Sequence, residues 1–154
     1  MEKTNVMRLL DASGISYNCY EYDATQTDGQ TVAKLVNKPS YMVFKTLVTV
    51  GNDNEHYVFV VPVDCSLDLK KAAKSVGVKS VQMIKQKELL PLTGYIHGGC
   101  SPIGMKKQFK TVIDETAILN DTICVSAGRV GKQIELNPET LCKYVNASFC
   151  DLSV

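Results

Sequence analysis

The sequence predicts an α/β protein of the α+β type, in which helices surround a mixed, largely antiparallel, barrel-like sheet. Three observations lead to this prediction. The segments with apolar alternation are short, several of them are joined by hairpin-type links, and helical segments fall between them. A regular strand–helix–strand repeat, a Gly-x-Gly-x-x-Gly fingerprint and a Walker loop are all missing from the sequence, so we expect neither a Rossmann domain nor a P-loop fold.

Capping and turn residues set the elements of the first half of the chain. Thr4 can cap a first helix that Gly14 ends. The spacing of residues 27–30 is that of a capping box, and the helix that it opens stops before Pro39. Residues 51–54 form a turn signal between two strands, which predicts a β-hairpin. The predicted elements are helix 4–13, strand 15–22, helix 27–36, strand 42–50 and strand 57–63.

The second half of the chain is predicted in the same way. Ser66 can cap a helix that Gly77 closes, and Asn137 with Pro138 at the first helical position begins the last helix. Between them lie a short helix and three strands with β-branched residues. These elements are helix 66–76, helix 85–90, and strands near residues 111–113, 122–126 and 133–136.

Length and charge restrict what the protein can do. The 154 residues fit a single domain, residues 1–154, with one substantial core. The formal net charge of +1 gives no overall field that would draw the chain onto nucleic acid, so any RNA contact must come from a local patch or a partner. The chain has neither a bilayer-spanning apolar stretch nor the apolar core of a signal peptide, which predicts a cytoplasmic protein without a membrane contact.

A glycine-rich loop at residues 98–104, Gly-Gly-Cys-Ser-Pro-Ile-Gly, is the most informative motif. Glycine lets the backbone adopt positive φ angles and approach a ligand closely. Successive N–H groups in such a loop can hold an anion or the oxyanion of an attacked ester. A tight turn between two elements is the alternative reading of the same spacing.

Two further segments could carry chemistry. Lys45 lies within an apolar strand, on the same face as Val43 and Leu47 by alternation, where it must either reach the strand edge or hold a charged group. An edge-strand lysine that prevents aggregation is the alternative. Ser126 begins the small-residue segment 126–131, which either presents a hydroxyl at a strand end or forms a hairpin turn.

The six cysteines predict neither a metal site nor disulfide bonds. No Cys-x-x-Cys pair occurs, no cysteine lies at ligand spacing from a histidine, and no secretion signal points to an oxidising compartment. His97 and Cys100 suggest a Cys–His nucleophile pair, although no third group that would orient the histidine is evident. A Cys100-dependent acyl transferase therefore stays an alternative. A Ser-His-Asp triad has no support, because the sequence has no Gly-x-Ser-x-Gly elbow.

Three motifs taken together resemble the YbaK/EbsC family, the free-standing relatives of the editing domain inserted in bacterial prolyl-tRNA synthetases. They are residues 43–48, Val-Phe-Lys-Thr-Leu-Val; residues 98–107, which contain Gly-Gly-x-Ser-Pro-x-Gly; and residues 126–131, Ser-Ala-Gly-Arg-Val-Gly, followed by Ile-Glu-Leu at 134–136. The segment 67–73 also fits the family pattern, so the resemblance covers nearly the whole chain in the right order.

The resemblance implies an aminoacyl-tRNA deacylase that acts in trans on mischarged tRNA, typically Cys-tRNA(Pro). The resemblance implies that the thiol of the substrate attacks its own ester, so that the amino acid is released as a thiolactone. The protein then supplies no nucleophile and needs no cofactor or metal. The implied partners are the acceptor end of the tRNA and prolyl-tRNA synthetase. A binding module without turnover and a deacylase for another small amino acid, such as alanine, are the alternatives.

By position, the resemblance assigns catalytic roles to Lys45, which would hold the aminoacyl-adenosine end, and to the backbone of Gly98, Gly99 and Cys100, which would cradle the carbonyl. The implied substrate-binding residues are Tyr20, Thr46, Ser101, Ser126, Gly128 and Gln133. The chain departs from the family at Gln133, where an aspartate is frequent, and at Asp28, where an aromatic residue is expected. The resemblance implies that both positions lie near the pocket, so both departures bear on substrate choice. A neutral Gln133 also cannot act as a base.

Overall fold

Two open sheets form the framework of the protein. The computed structural model describes residues 2–25 and 27–154. Short 3₁₀ helices at Ser40–Met42 and Glu115–Leu119 accompany the longer elements. In chain order the longer elements are α1 (Asn5–Ala12), β1 (Asn18–Glu21), α2 (Gly29–Leu35), β2 (Phe44–Gly51), β3 (His56–Pro62), α3 (Leu69–Val76), β4 (Val81–Met83), α4 (Gln86–Thr93), β5 (Lys110–Asp114), β6 (Ile123–Ser126), β7 (Lys132–Leu136), α5 (Pro138–Tyr144) and β8 (Ser148–Cys150).

The strand order confirms the predicted α+β class with a mixed, largely antiparallel arrangement. The smaller sheet has the order β1-β7-β6 and is entirely antiparallel. The larger sheet has the order β4-β2-β3-β5-β8, antiparallel from β4 to β3 and parallel from β3 to β8. A parallel bridge between Val43 and Cys124 joins the two sheets. Both sheets are open, so the strands do not form the single barrel-like sheet that the sequence suggested.

The larger sheet is covered on both faces, which explains why β3 is apolar without alternation. On one face, Phe59 and Val61 pack with Ala72 and Val76 of α3. On the other face, residues of β2, β3 and β5 pack against the smaller sheet, α1 and α5; this core includes Phe44, Val60, Ile113, Ile123, Ile134 and Leu10. Within the described residues, none of the helices has the length and apolar character needed to cross a bilayer.

The helix caps divide into two predicted correctly and two predicted wrongly. Thr4 caps α1 and Asn137 caps α5, as expected. The first turn of α2 is capped by Asp28, which accepts from the Thr31 N–H, and not by a capping box that opens at Thr27.

The cap of α3 is Asp68 rather than the predicted Ser66. Asp68 Oδ1 accepts from the N–H groups of Lys70 and Lys71. The region around Ser66 is instead occupied by the C-terminal segment, because Ser66 O accepts from the Val154 N–H and Leu67 bridges to Ser153. Because residues 66–67 pair with the C-terminal segment, the helix begins later than predicted.

Two strands were missed and one is shorter than predicted. The three-residue strands β4 and β8 are too short to show an alternating pattern. The strand predicted over residues 15–22 is paired only over Asn18–Glu21. Beyond β8, the buried Asp114 side chain accepts from the Leu152 N–H at 2.8 Å and thereby anchors the C-terminal segment.

The corrected cap of α3 predicts a difference between two substitutions. Asp68→Ala removes the acceptor for two N–H groups and should lower the free energy of unfolding by about 1 kcal/mol. Ser66→Ala removes a hydroxyl that is not the cap and should change it by less than about 0.5 kcal/mol. Urea unfolding followed by circular dichroism measures both, and equal losses would contradict the assignment of the cap.

Candidate functional site

A cavity of about 290 Å³ lies beside the glycine loop, between β2 and the smaller sheet. Its lining includes six of the ten residues to which the sequence assigned a role: Lys45, Thr46, Gly98, Cys100, Ser126 and Gln133. The four others, Tyr20, Gly99, Ser101 and Gly128, are not among the lining residues. The cavity therefore brings together one residue or more from each of the three motifs.

The cavity lies where β2 has a neighbour on one side only. Residues 44–48 pair with β3, whereas pairing with β4 begins at Thr49. The Val43 carbonyl accepts from Val63 on the β3 side, and the Val48 carbonyl accepts from Ile84 on the β4 side. Because successive strand residues point their backbone groups to opposite sides, the N–H and C=O of Thr46 point to the open edge.

Steric requirements fix the glycine loop in place. Gly98 has a φ of +86°, and a Cβ there would lie 2.9 Å from Thr27 Cγ2. A Cβ on Gly99 would lie 2.9 Å from the backbone nitrogen of Val130. Since a backbone atom cannot rotate away, only glycine at position 99 lets the loop rest on the turn between β6 and β7.

The hydrogen bonds of the loop decide which N–H groups are free to bind a ligand. The Gly99 N–H donates to the Ile96 carbonyl at 3.0 Å, which closes a turn. The N–H groups of Gly98 and Cys100 have no acceptor among the residues that the structure describes. Both residues line the cavity, so two free donors are available there.

Ser101 and Gly128 lie behind the cavity wall and support it. Ser101 is fully buried, and its Oγ accepts from the Ile103 N–H at 3.2 Å. A Cβ on Gly128 would lie 2.9 Å from Val6 Cγ2, and the Gly128 N–H donates to Ser126 Oγ at 3.2 Å. Their contacts hold the loop and the β6–β7 turn in shape; their assignment to substrate binding stays a prediction.

Lys45 brings a positive charge to the cavity. All five residues from Val43 to Leu47 line the cavity, so the lining does not distinguish the strand face on which alternation placed Lys45. No carboxylate in the described part of the chain lies within ion-pair distance of Lys45 Nζ, whereas Lys38 and Lys71 each have such a partner. The ammonium is therefore available to an anionic or electron-rich group of a ligand.

Three polar atoms of cavity residues are buried without a hydrogen-bond partner. They are Tyr22 OH, Thr46 Oγ1 and Gln133 Oε1. A fourth such atom among the described residues, Ser153 Oγ, belongs to the C-terminal segment. Because an unpaired buried polar group lowers stability by about 1–3 kcal/mol, three in one cavity mark it as a place where water or a polar ligand supplies the missing hydrogen bonds.

The thiol of Cys100 is unsuited to nucleophilic attack. It is 9% exposed and packs with Val48, Val58 and Phe109. Burial raises the pKa of this thiol to about 12, so it stays protonated at neutral pH. A nucleophilic cysteine needs a lowered pKa, and the environment here acts in the opposite direction.

Tyr20 is not among the lining residues of the cavity and belongs to a partly buried polar cluster around the buried Glu135, which we call the Glu135 cluster. The Tyr20 hydroxyl and the Thr122 hydroxyl each donate to a Glu135 carboxylate oxygen at 2.5 Å. Lys38 Nζ lies 3.4 Å from Glu135 Oε2 and 5.4 Å from the centre of the Tyr20 ring. The cluster ties the end of α2 to the smaller sheet, next to the cavity wall that α2 supplies.

Several cavity residues were not assigned a role from the sequence. Tyr22 is two positions from Tyr20 in the predicted strand and so shares its face, which was the one signal that could have assigned it to the site. Thr27, Asp28, Gly29 and His97 were noticed for capping or for a nucleophile pair, and the structure places all four in the lining. The apolar part of the wall consists of Val32, Val43, Phe44, Leu47, Val63 and Leu89. Three of them belong to the motif at residues 43–48, and the others carry no sequence signal beyond core patterning.

In residues 2–25 and 27–154, His, Cys, Asp and Glu side chains do not gather in a group of three or more that could hold an ion. The cavity therefore offers a lysine, two backbone donors and three unpaired polar atoms. This set can position an ester and stabilise an oxyanion.

The Glu135 cluster predicts a pH-dependent contribution to stability. Burial of the carboxyl raises its pKa, but hydrogen bonds from Thr122 and Tyr20 and the charge of Lys38 outweigh burial and lower the pKa to about 2. Because the folded pKa lies below the unfolded value, the stabilisation is present above pH ~4.5 and is lost as the pH falls toward 2. Glu135→Gln should lower the free energy of unfolding at pH 7 by on the order of 2–3 kcal/mol.

The measurement is urea unfolding of wild type and Glu135→Gln at several pH values between 2.5 and 7 (about one unit apart). The difference between the two proteins should shrink below pH ~4.5. Glu55→Gln, at an exposed carboxyl in the β2–β3 turn, is the matched control and should show little difference at any pH. A difference for Glu135→Gln that is the same at every pH would contradict the account.

Comparisons with known proteins give the same picture as the motifs. The model of the aminoacyl-tRNA editing domain family matches residues 24–144. EbsC of Enterococcus faecalis, a candidate Cys-tRNA(Pro)/Cys-tRNA(Cys) deacylase, is 44% identical over 154 residues, which cover 99% of this chain and 94% of EbsC.

Two solved structures share the fold. One, described as a candidate trans-editing enzyme for prolyl-tRNA synthetase, gives a TM-score of 0.87 at 24% identity and covers 100% of this chain and 99% of that one. The other, of a hypothetical protein, gives a TM-score of 0.90 at 23% identity over 98% of this chain and 100% of that one. The resemblance read from the motifs is thus confirmed: the chain belongs to the aminoacyl-tRNA editing domain family.

Proposed function

We propose that this protein is an aminoacyl-tRNA deacylase that acts in trans and clears cysteine from Cys-tRNA(Pro). The observation that carries the proposal is the cavity itself, which joins an unpaired lysine, Lys45, to the free N–H groups of Gly98 and Cys100. Its one thiol is held protonated by burial. Such a site can polarise and hold an ester without an activated thiol of its own, which suits a substrate that carries its own nucleophile.

In the proposed reaction, the sulfur of the cysteinyl side chain attacks the ester carbonyl carbon of its own residue. The carbonyl oxygen becomes an oxyanion, which the N–H groups of Gly98 and Cys100 stabilise. The tetrahedral intermediate then collapses: the bond to the ribose oxygen of the terminal adenosine breaks, and that oxygen receives the proton that the thiol gave up. The products are a cysteine thiolactone and uncharged tRNA.

Lys45 serves the leaving group in this scheme. Its ammonium binds the aminoacyl-adenosine end and places positive charge near the ribose oxygen as negative charge develops there. The protein contributes orientation and electrostatic stabilisation, and the substrate contributes the nucleophile.

The partners follow from the same proposal. The ligand is the acceptor end of a mischarged tRNA, bound in the cytoplasm by the single domain of residues 1–154. A net charge of +1 favours weak intrinsic binding of tRNA, so we propose that docking on prolyl-tRNA synthetase raises the effective concentration of substrate. No cofactor or metal takes part in the proposed reaction.

The test of the proposal is deacylation of preformed Cys-tRNA(Pro) and Ala-tRNA(Pro) by the purified protein. Wild type should release cysteine faster than alanine, and Lys45→Ala should lower kcat/KM for the cysteinyl substrate by about 10²- to 10³-fold. Lys70→Ala, at an exposed lysine of α3, is the matched control and should behave as wild type. Faster release of alanine would indicate an alanyl deacylase, and binding without turnover would indicate a binding module.

A second substitution separates this mechanism from a Cys100-dependent acyl transferase. Cys100→Ala keeps the backbone N–H and removes only the thiol, so kcat/KM should stay within about tenfold of wild type. Loss of a true nucleophile would cost about 10⁴-fold or more. A loss of that size, with folding intact by circular dichroism, would identify Cys100 as the nucleophile and overturn the proposed mechanism.

A further inference from the structure

Two unpaired hydroxyls in the cavity wall come from different sheets. Tyr22 directly follows β1 of the smaller sheet, and Thr46 lies at the open edge of β2 in the larger one. Both oxygens are buried, both residues line the cavity, and neither hydroxyl has a partner among the described residues. Burial of a hydroxyl without a hydrogen bond lowers stability, so the fold maintains both at a cost.

Three threonines that are buried as whole residues, unlike the half-buried Thr46, show that the fold can provide partners for hydroxyl groups. Thr49 Oγ1, three positions along β2, donates to the Tyr57 carbonyl at 3.0 Å. Thr111 Oγ1 donates to the Phe109 carbonyl at 3.0 Å, and Thr93 Oγ1 donates to the Leu89 carbonyl at 2.8 Å. Tyr22 and Thr46 differ from these hydroxyls in that they face a space that a ligand can enter.

The hydrogen-bonding capacity of an aminoacyl ester shows what the two hydroxyls can bind. Under the proposed function, the N–H groups of Gly98 and Cys100 bind the carbonyl oxygen, and Lys45 is close to the ribose oxygen. The unpaired acceptor atom of the cavity wall, Gln133 Oε1, is bonded to neither hydroxyl, so the two hydroxyl hydrogens need an acceptor on the ligand that is neither of these oxygens. Cysteine and serine carry such an acceptor on the β-carbon, whereas alanine and 2-aminobutyrate do not.

We propose that the hydroxyls of Tyr22 and Thr46 form a specificity subsite for the side-chain sulfur or oxygen of the aminoacyl group. The subsite selects amino acids with a heteroatom on the β-carbon over hydrocarbon side chains of the same size. This inference rests on the proposed function, because it takes the aminoacyl end as the ligand.

Selection of this kind follows from the cost of unpaired groups. A ligand with a β-heteroatom satisfies both hydroxyls, while an isosteric hydrocarbon leaves them buried and unpaired. The difference therefore appears in binding as well as in turnover. The subsite also explains why the fold keeps two unpaired hydroxyls that lower its stability: they distinguish between ligands.

The experiment measures binding of three non-hydrolysable ligands by calorimetry. They are 3′-amide analogues of aminoacyl-adenosine with cysteinyl, seryl and 2-aminobutyryl groups. Wild type should bind the cysteinyl and seryl analogues about tenfold more tightly than the 2-aminobutyryl analogue, or better. Thr46→Val and Tyr22→Phe should each reduce this preference to about threefold or less.

Thr49→Val is the matched control on the same strand. Its hydroxyl is buried but already paired, so this variant should keep the tenfold preference while its urea midpoint falls. Thr46→Val should have an unchanged or higher urea midpoint, because it removes an unpaired hydroxyl. A lower midpoint for Thr46→Val would reveal a stabilising partner for the hydroxyl and would overturn the subsite.

The binding results also separate this inference from the proposed function. Equal affinity of wild type for all three analogues overturns the subsite and leaves the deacylase proposal standing. Failure of all three analogues to bind overturns both, because the aminoacyl-adenosine end would then not be the ligand.

Discussion

The site depends on one steric contact, the close approach of the glycine loop to the backbone of the β6–β7 turn. At Gly99 there is no room for a side chain, because a Cβ would lie 2.9 Å from the Val130 nitrogen. The contact sets the loop against the smaller sheet, while the buried Ser101 holds the following turn. The two free N–H donors of the loop are therefore positioned by packing, which is a rigid way to hold a charge-stabilising group.

Polar groups next to the cavity are paired, whereas several polar groups inside it are not. Next to the cavity, Glu135 is 7% exposed and has hydrogen bonds or an ion pair to Tyr20, Thr122 and Lys38. Inside the cavity, Thr46 and other groups have no partner. A network of hydrogen bonds and an ion pair supports the wall, whereas three of the four unpaired buried side-chain atoms among the described residues lie in the cavity; the fourth is Ser153 Oγ. Such a concentration of unpaired groups is expected at a functional site.

Local signals in the sequence predicted what local physics determines. The Thr4 and Asn137 caps, the β2–β3 hairpin and the glycine loop each depend on residues within one turn or one strand pair, and all are found in the structure. Long-range contacts determined part of what was missed. Asp68 caps α3 because the C-terminus pairs with residues 66–67, and Tyr20 is held by Glu135, 115 positions away. The unpaired Tyr22 hydroxyl is likewise visible only when both sheets are assembled.

If the protein supplies no nucleophile, as proposed, the residues that cannot be substituted are not the ones with reactive side chains. In the proposed reaction, Cys100 contributes only its N–H, which any residue other than proline retains, because its thiol is buried and protonated. The two glycines that precede Cys100 cannot be replaced in the same way. Gly98 has a positive φ, and a side chain at Gly99 would collide with the backbone of Val130. The chemistry therefore restricts backbone shape and the charge of Lys45 more strongly than it restricts the reactive-looking side chain. This is the pattern expected when catalysis consists of holding a substrate that reacts with itself.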